Sequence, residues 1–214
     1  MLAALLFALF GWQVAVGGPL VAADESLAAD LVAHRPPIKV AHTLADLGNG
    51  AVALPVLAAA AGFALWRAGW RRLGAAASAA AVAMALVPAV VVPLKEEFAR
   101  RGPDLAPLGA YPGYFPSGHA ATSAVAYGGA ALLVAYCVRG VRARRLVAAA
   151  AGLLIVGCGL GLVWHAYHWP MDVAASWCLA VLLLTPVRRA ARGRRVASVR
   201  AVEATRRPLN GRGR

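Results

Sequence analysis

The sequence predicts an all-α protein, a polytopic membrane bundle of about six transmembrane helices. Of the 214 residues, 61% are hydrophobic and only 14% are charged, whereas about a quarter of the residues in a soluble domain are charged. Several apolar runs approach the roughly 20 residues that a helix needs to cross a bilayer. Because these runs occupy most of the chain, we expect one membrane domain and no second folded domain.

Six apolar runs are the candidate spans. In chain order they are residues 2–23, 50–66, 75–94, 120–138, 146–164 and 173–187. The last run is short, and we expect it to reach full length by beginning near Pro170. Residues 24–49 are expected to form a partly amphipathic outer loop at the membrane surface. This assigns residues 1–187 to the membrane domain and residues 188–214 to a basic, disordered cytoplasmic tail.

The distribution of basic residues predicts the orientation of the chain. The formal net charge is +13, and most of the basic residues follow the second, fourth and sixth runs. Because cytoplasmic loops carry an excess of lysine and arginine, we expect both termini in the cytoplasm and the connections 95–119 and 165–172 on the extracytoplasmic face. The charge is therefore a topology signal, and nucleic-acid binding is not expected. Small residues in VAADES, after the first run, resemble a signal-peptide cleavage site, so cleavage is the alternative to an uncleaved first span.

The stretch PSGH, residues 116–119, ends the first of these outer connections and leads into an apolar run. Serine is a favoured N-cap, so Ser117 is expected to begin the fourth spanning helix. The first N–H groups of that helix have no helical partner and form an anion site, which Gly118 leaves open to close approach. His119 would lie in the first turn, beside a bound anion.

The stretch HWPMD, residues 168–172, places an imidazole near a carboxylate in the second outer connection. Pro170 suits the first turn of a helix, which puts His168 just before that helix and Asp172 within its first turn. A carboxylate that accepts one ring N–H fixes the tautomer and leaves the other nitrogen as a nucleophile. His119 would then protonate the leaving oxygen.

Fixed positive charge completes a site for phosphoryl transfer. Lys95 and Arg100 lie in the first outer connection, and the guanidinium fork of arginine suits a pair of phosphate oxygens. Together with an anion-binding helix end, a nucleophile and an acid, these cations favour hydrolysis of a phosphomonoester or diphosphate. The sequence offers no carboxylate cluster for magnesium, so the cations are expected to take that role, with no metal and no other cofactor.

This ordered set of residues resembles the type 2 phosphatidic-acid phosphatase superfamily, the membrane lipid phosphatases related to vanadium haloperoxidases. The motifs of that family are a lysine followed by Arg-Pro, then Pro-Ser-Gly-His, then Ser-Arg-x5-His-x3-Asp, and the second motif is fully present. The resemblance implies a phosphohistidine on His168, with Asp172 as its partner and His119 as the general acid. It also implies a phosphate site formed by Lys95, Arg100, Ser117 and Gly118.

Two positions depart from the motifs of that family. Gly102 stands where the first motif usually has arginine, so Arg100 is expected to supply the charge, with Arg101 as the less favoured candidate. The Ser-Arg pair of the third motif is replaced by the Gly-Leu pair of residues 161–162. His165 could compensate for part of that lost charge, and a role in helix packing is an equal alternative for it.

The leading prediction is a lipid phosphatase whose site faces outside the cytoplasm, with a polyprenyl phosphate or diphosphate ahead of phosphatidic acid as substrate. The expected partners are that phosphorylated lipid and the bilayer. A catalytically silent lipid-phosphate-binding membrane protein is the alternative, which the missing arginine favours and the retained histidines oppose. A transporter is less favoured because no run has an ionisable residue at its middle. The spans exclude a soluble haloperoxidase.

Overall fold

The computed structural model describes residues 1–192, which fold as α-helices without a strand among them. In chain order the helices are α1 (Leu2–Val16), α2 (Pro19–Ala33), α3 (Ile38–Asp46), α4 (Gly50–Ala68), α5 (Trp70–Phe98), α6 (Gly118–Cys137), α7 (Val141–Trp164) and α8 (Pro170–Leu183). Five helices of the described chain are long and apolar enough to cross a membrane, and the bent pair of α1 and α2 adds a sixth span if counted as one. The predicted all-α polytopic fold is confirmed.

The first apolar run is broken, so the prediction of one continuous span over residues 2–23 is wrong. α1 ends where Gly17 adopts the left-handed conformation, with φ 58°, and Pro19 starts the next helix. α2 leaves α1 at an angle of 94°. The Gln13 side chain stabilises this corner, because its Oε1 accepts a hydrogen bond from the N–H of Leu20 at 3.1 Å.

The segment expected as an outer loop, residues 24–49, is largely helical, since it contains most of α2 and all of α3. α3 packs against α7 instead of lying free at the membrane surface. A Cβ at Gly161 would lie 2.5 Å from the backbone nitrogen of Ala45, so this close approach requires glycine at that position of α7. The packing of two small-residue faces gives the segment the order that its polar composition did not suggest.

Helix α6 is central, because α4, α5, α7 and α8 all pack against it. Its apolar core positions are mostly small residues, such as Ala121, Ala124 and Ala130, which let neighbouring helices approach closely. The α4–α5 and α6–α7 turns meet at one end of the bundle, where they share a cleft. The α5–α6 and α7–α8 connections meet at the other end, where hydrogen bonds join them.

Helix α8 begins at Pro170, as predicted, and helical residues continue to Arg192. The helical chain therefore extends beyond residue 187, where the sequence placed the end of the membrane domain. The rest of the expected tail, residues 193–214, lies outside the described residues. The division into a membrane domain and a cytoplasmic tail stays a prediction.

Candidate active site

The residues singled out in the sequence lie mainly at one end of the bundle, where α5 ends and α6 and α8 begin. Ser117 is the N-cap of α6, and its Oγ accepts a hydrogen bond from the N–H of Ala120 at 3.3 Å. The Ser117 N–H donates to the carbonyl of Asp172 at 3.2 Å, which joins the starts of α6 and α8. The Ser176 hydroxyl lies 2.8 Å from the Ser117 carbonyl and 2.7 Å from the Asp172 carbonyl, and it reinforces the same junction.

His168 and Asp172 form a buried pair at the start of α8. The Nδ1 of His168 lies 3.2 Å from Oδ2 of Asp172, which also accepts a hydrogen bond from the N–H of Trp169 at 3.2 Å. Because a carboxylate can only accept, the proton of the ring lies on Nδ1 and Nε2 carries the free lone pair. The Asp172 side chain is fully buried, so its charge requires further partners.

Arg100 supplies that partner, and a second carboxylate completes the network. The Nη1 of Arg100 donates a hydrogen bond to Oδ1 of Asp172 at 2.6 Å, and the Nη2 of Arg100 donates one to Oδ2 of Asp24 at 2.7 Å. The other oxygen of Asp24 accepts the N–H of Met171, in the first turn of α8, at 2.7 Å. Only 8% of the Arg100 side chain is exposed. In this structure its guanidinium therefore holds two carboxylates, whereas the sequence suggested a phosphate as its ligand.

Lys95, Gly118 and His119 are among the residues that line a large apolar cavity. Lys95 is buried near the end of α5, and its Nζ donates a hydrogen bond to the hydroxyl of Tyr111 at 2.6 Å. Burial and the negative charge of Asp172 raise the pKa of Tyr111, so the phenol stays neutral beside the ammonium group. A Cβ added at Gly118 would contact only Val91, at 3.9 Å, which leaves open space at the α6 N-terminus.

The cavity has a volume of about 1050 Å³ and lies between α4, α5 and the first turn of α6. It extends from Lys95 and His119 along the two helices, and the side chains that line it are mostly alanine, valine, leucine and methionine. A polar rim above a long apolar groove is the shape that a lipid with a phosphorylated head would require.

Arg101 and His165 lie apart from this network. Arg101 is exposed, and its backbone carbonyl accepts a hydrogen bond from Nε1 of Trp169 at 2.9 Å. The ring of His165 stacks on that of Tyr167 at 3.9 Å between centroids and lies 5.4 Å from the ring of His42 on α3. These contacts are those of a packing residue, which was one of the two alternatives for His165.

Comparison with known proteins places this arrangement in a family. Residues 76–195, more than half of the chain, match the family model of the PAP2 superfamily. The chain belongs to the PAP2 superfamily. Its fold is similar to that of a solved crystal structure, that of the first transmembrane PAP2 type phosphatidylglycerolphosphate phosphatase from Bacillus subtilis, with a TM-score of 0.68 and 20% sequence identity over 98% of this chain and 100% of that one. No curated protein sequence matches the chain.

Family and fold together identify the chain as a multi-pass membrane protein and support phosphatase activity. The predicted resemblance to the type 2 phosphatidic-acid phosphatase superfamily is confirmed. The roles of the individual site residues are not tested by these comparisons. They stay predictions that rest on the geometry above.

The structure explains both departures from the PAP2 motifs. A Cβ at Gly102 would lie 2.5 Å from the ring of Tyr114, so this position holds no side chain because the tyrosine occupies its space. Leu162 is buried in an apolar cluster with Ala45 and Val173, at the position where the third motif has arginine. The packing of α3 onto α7 leaves no polar surroundings for a guanidinium at that point.

Sequence reasoning missed Asp24 and the two tyrosines of the α5–α6 connection. Tyr114 presents its ring to that of His168, with 5.6 Å between centroids, and Tyr111 contacts Lys95 as described. Asp24 closes the first apolar run, and a carboxylate next to a membrane-spanning segment is itself a signal of function. Nothing in the local sequence links it to Arg100, which is 76 residues away.

Proposed function

We propose that the protein hydrolyses a phosphomonoester or diphosphate on a membrane lipid, without a metal ion, through a phosphohistidine on His168. The observation that carries this proposal is the His168–Asp172 pair at the same end of the bundle as Lys95 and the α6 N-terminus, both of which line an apolar groove. Among the described residues, no group of three or more histidine, cysteine, aspartate or glutamate side chains could hold a metal ion. Metal independence stays part of the proposal and is tested below.

In the first step, Nε2 of His168 attacks phosphorus. The P–N bond forms while the bond between phosphorus and the lipid-side oxygen breaks, and His119 donates a proton to that departing oxygen. Lys95 and the free N–H groups at the start of α6 stabilise the charge on the three remaining phosphoryl oxygens. Asp172 keeps the proton on Nδ1, so Nε2 is the ring nitrogen left to attack phosphorus.

In the second step, water attacks phosphorus and passes a proton to His119. The P–N bond breaks, inorganic phosphate leaves, and Nε2 of His168 regains its lone pair. His119 ends the cycle protonated, as it began, so protons and charge balance over the two steps.

The length of the groove supports a long-chain substrate. Lys95 and Ala77 both line it and are separated by 18 residues of α5, which corresponds to about 27 Å along the helix. One leaflet contributes only about 15 Å of the hydrocarbon core. A groove that continues beyond one leaflet suits a polyprenyl chain better than the acyl chains of phosphatidic acid, so we place the polyprenyl phosphate or diphosphate first.

A catalytically silent lipid-phosphate-binding protein is the second candidate. It is favoured by the pairing of Arg100 with two carboxylates, which leaves Lys95 as the main buried cation at the groove, and by Leu162 in place of an arginine. Under this alternative the same site binds a phosphorylated lipid head but does not turn it over.

The orientation belongs to the same proposal. The basic turns at the opposite end of the bundle favour the cytoplasm, which supports a site on the extracytoplasmic face of the membrane and a cytoplasmic C-terminus. The substrate would therefore be a lipid that exposes its phosphate on the outer side.

The test is release of inorganic phosphate by purified protein from matched polyprenyl diphosphate, polyprenyl phosphate and phosphatidic acid, with and without excess chelator. We expect turnover that survives the chelator, an acid-labile phosphoenzyme in the wild type, and no turnover with His168→Ala. His119→Ala should slow turnover most for poor leaving groups, because it removes the acid. A phosphoenzyme that persists in His168→Ala contradicts the mechanism. Lipid binding without phosphate release from any substrate establishes the silent alternative.

A further inference from the structure

A polar cleft lies at the end of the bundle opposite the candidate active site. Its volume is about 300 Å³, and it is enclosed by the end of α4, the start of α5, the end of α6 and the start of α7. Four arginines from these elements line it, namely Arg67, Arg72, Arg139 and Arg144. The mechanism proposed above uses none of them.

Within residues 1–192, the charges of the cleft have no acidic side chain as a partner. No acidic residue lines it, and within residues 1–192 every aspartate and glutamate belongs to α2, α3, the end of α5, the loop that follows α5 or the start of α8. Four guanidinium groups around this volume repel one another, and although solvent screens the exposed Arg67, Arg72 and Arg139, an anion between the groups would lower the repulsion further. The fold therefore brings together positive charges that favour the binding of a negative ligand at this end.

Backbone N–H groups at the starts of two helices also lie at this end of the bundle. α5 begins after Gly69 and α7 begins after Gly140, and neither helix has a side-chain cap or an acidic residue in its first turn. The first N–H groups of these two helices therefore lie at the same end of the bundle as the four arginines and can donate hydrogen bonds to an anion. The C-terminal ends of α4 and α6 lie there too, so the four helix dipoles together add no net positive charge. The Nε of Arg144 donates to the carbonyl of Val138 at 3.4 Å, which orients this guanidinium at the wall of the cleft.

The level of the cleft in the membrane indicates where its ligand comes from. Trp66 and Trp70 flank the α4–α5 turn, with 78% and 67% of their surfaces exposed. Exposed tryptophans at the end of spanning helices are typical of the lipid headgroup level. The Cζ of Arg67 lies 5.9 Å from the Trp66 ring, so the arginines share that level.

We infer that this cleft binds the phosphate of an anionic lipid headgroup from the leaflet at that end of the bundle. Arginine suits phosphate oxygens because its guanidinium can donate two parallel hydrogen bonds. A lipid bound there would bridge the α4–α5 and α6–α7 turns and reduce the repulsion between their arginines. The site is separate from the active site, and its occupant is a structural lipid that is not turned over.

The experiment compares two double variants with equal loss of charge. Arg72→Gln with Arg144→Gln removes two arginines of the cleft, whereas Arg71→Gln with Arg145→Gln removes two exposed neighbours outside it. Full-length protein is placed in nanodiscs of phosphatidylcholine with a minor fraction of phosphatidylglycerol. Retention of phosphatidylglycerol is then measured by native mass spectrometry, and thermal unfolding is recorded with and without this lipid.

We expect the wild type and the Arg71/Arg145 variant to retain phosphatidylglycerol. The affinity of the Arg72/Arg144 variant for this lipid should be lower by at least about 10-fold, because charge-assisted hydrogen bonds are lost. Equal retention by the two variants overturns the inference, since general surface charge would then explain binding. Inorganic phosphate at millimolar concentration should not displace the lipid, and complete displacement would assign the cleft to free phosphate. An equal rise in melting temperature on addition of phosphatidylglycerol to the wild type and to the Arg72/Arg144 variant also overturns it.

Discussion

At the scale of single residues, the candidate site is a charge-paired network rather than a set of free cations. Two carboxylates, Asp24 and Asp172, share the guanidinium of Arg100, so these three groups together carry a net negative charge beside His168. If Nε2 bonds to phosphorus while Nδ1 keeps its proton, the ring becomes positively charged. The negative neighbour stabilises that ring, which favours a phosphohistidine intermediate.

The first prediction concerns the two adjacent arginines. Arg100→Ala should reduce turnover about 10³-fold or more, and Arg101→Ala should reduce it only slightly. Arg100→Ala leaves two buried carboxylates without a cation, whereas the Arg101 side chain is exposed. Turnover of one lipid phosphate by both variants, with their melting temperatures, measures the difference. Loss of activity in Arg101→Ala with an active Arg100→Ala would reverse this assignment.

The second prediction concerns Asp24. Asp24→Asn keeps an acceptor for the Met171 N–H but removes the charge that faces Arg100, so kcat should fall about 10-fold while KM changes little. Asp30→Asn is the matched control, because Asp30 lies on the same helix and is exposed. Steady-state kinetics of both variants is the measurement. Equal kcat values in the two variants would show that Asp24 does not position the site.

Most of the site could be predicted from local sequence, and the exceptions have a physical cause. Ser117 at the start of α6, and His168 and Asp172 at the start of α8, follow from capping rules that act within a few residues. The engagement of Arg100 by Asp24 depends on the bend between α1 and α2, which brings distant segments together. Long-range ion pairs of this kind leave no periodic pattern in the sequence.

At the scale of elements, α4 and α5 form the walls of the groove that we propose holds the lipid chain of the substrate. Both helices contribute small side chains to the groove, and their separation creates its width. The hydropathy of the sequence predicted these two helices but not the groove between them. An apolar side chain has the same hydropathy whether it faces lipid or packs inside the protein, so hydropathy does not show where a groove lies. Similarly, the polar residues of α3 gave no sign that this segment is a helix that packs against α7 through Ala41 and Ala45.

The third prediction narrows the groove. Ala85→Trp places a large ring among the lining residues, so KM for a long-chain lipid phosphate should rise about 10-fold or more. A short-chain, water-soluble phosphate ester should be hydrolysed with unchanged kcat/KM. Val82→Trp is the control, since Val82 lies on the same helix, is exposed and does not line the groove. A similar rise in KM with Val82→Trp would show that the effect does not arise in the groove, and that the groove does not determine the preference for long-chain substrates.

At the scale of the whole molecule, charge is divided between the two ends of the bundle. The acidic residues of the described chain lie toward the site, and the arginine cleft lies at the other end. This asymmetry was readable in the sequence because it depends only on the order of spans and loops. The break in the first span does not change it, since α4 to α8 still alternate.

The fourth prediction tests that orientation. In a background without the native cysteines, Ala106→Cys in the α5–α6 connection should react with a membrane-impermeant maleimide in intact cells. Val141→Cys at the start of α7, which is also exposed, should react only after the membrane is opened. The labelled fractions before and after permeabilisation are compared. The reverse pattern would place the site on the cytoplasmic side.

The Asp24–Arg100 contact limits which part of the chain can be transferred to another protein as a unit. The segment that matches the PAP2 family begins at residue 76, inside α5, whereas Arg100 has a partner at residue 24 and one wall of the groove is α4, at Gly50–Ala68. A graft or fusion trimmed to the matched segment would carry His168 and Asp172, but it would leave the Arg100 guanidinium with one of its two carboxylate partners and the groove without its α4 wall. A chimaera that exchanges this unit between proteins must therefore take the N-terminal helices along with it.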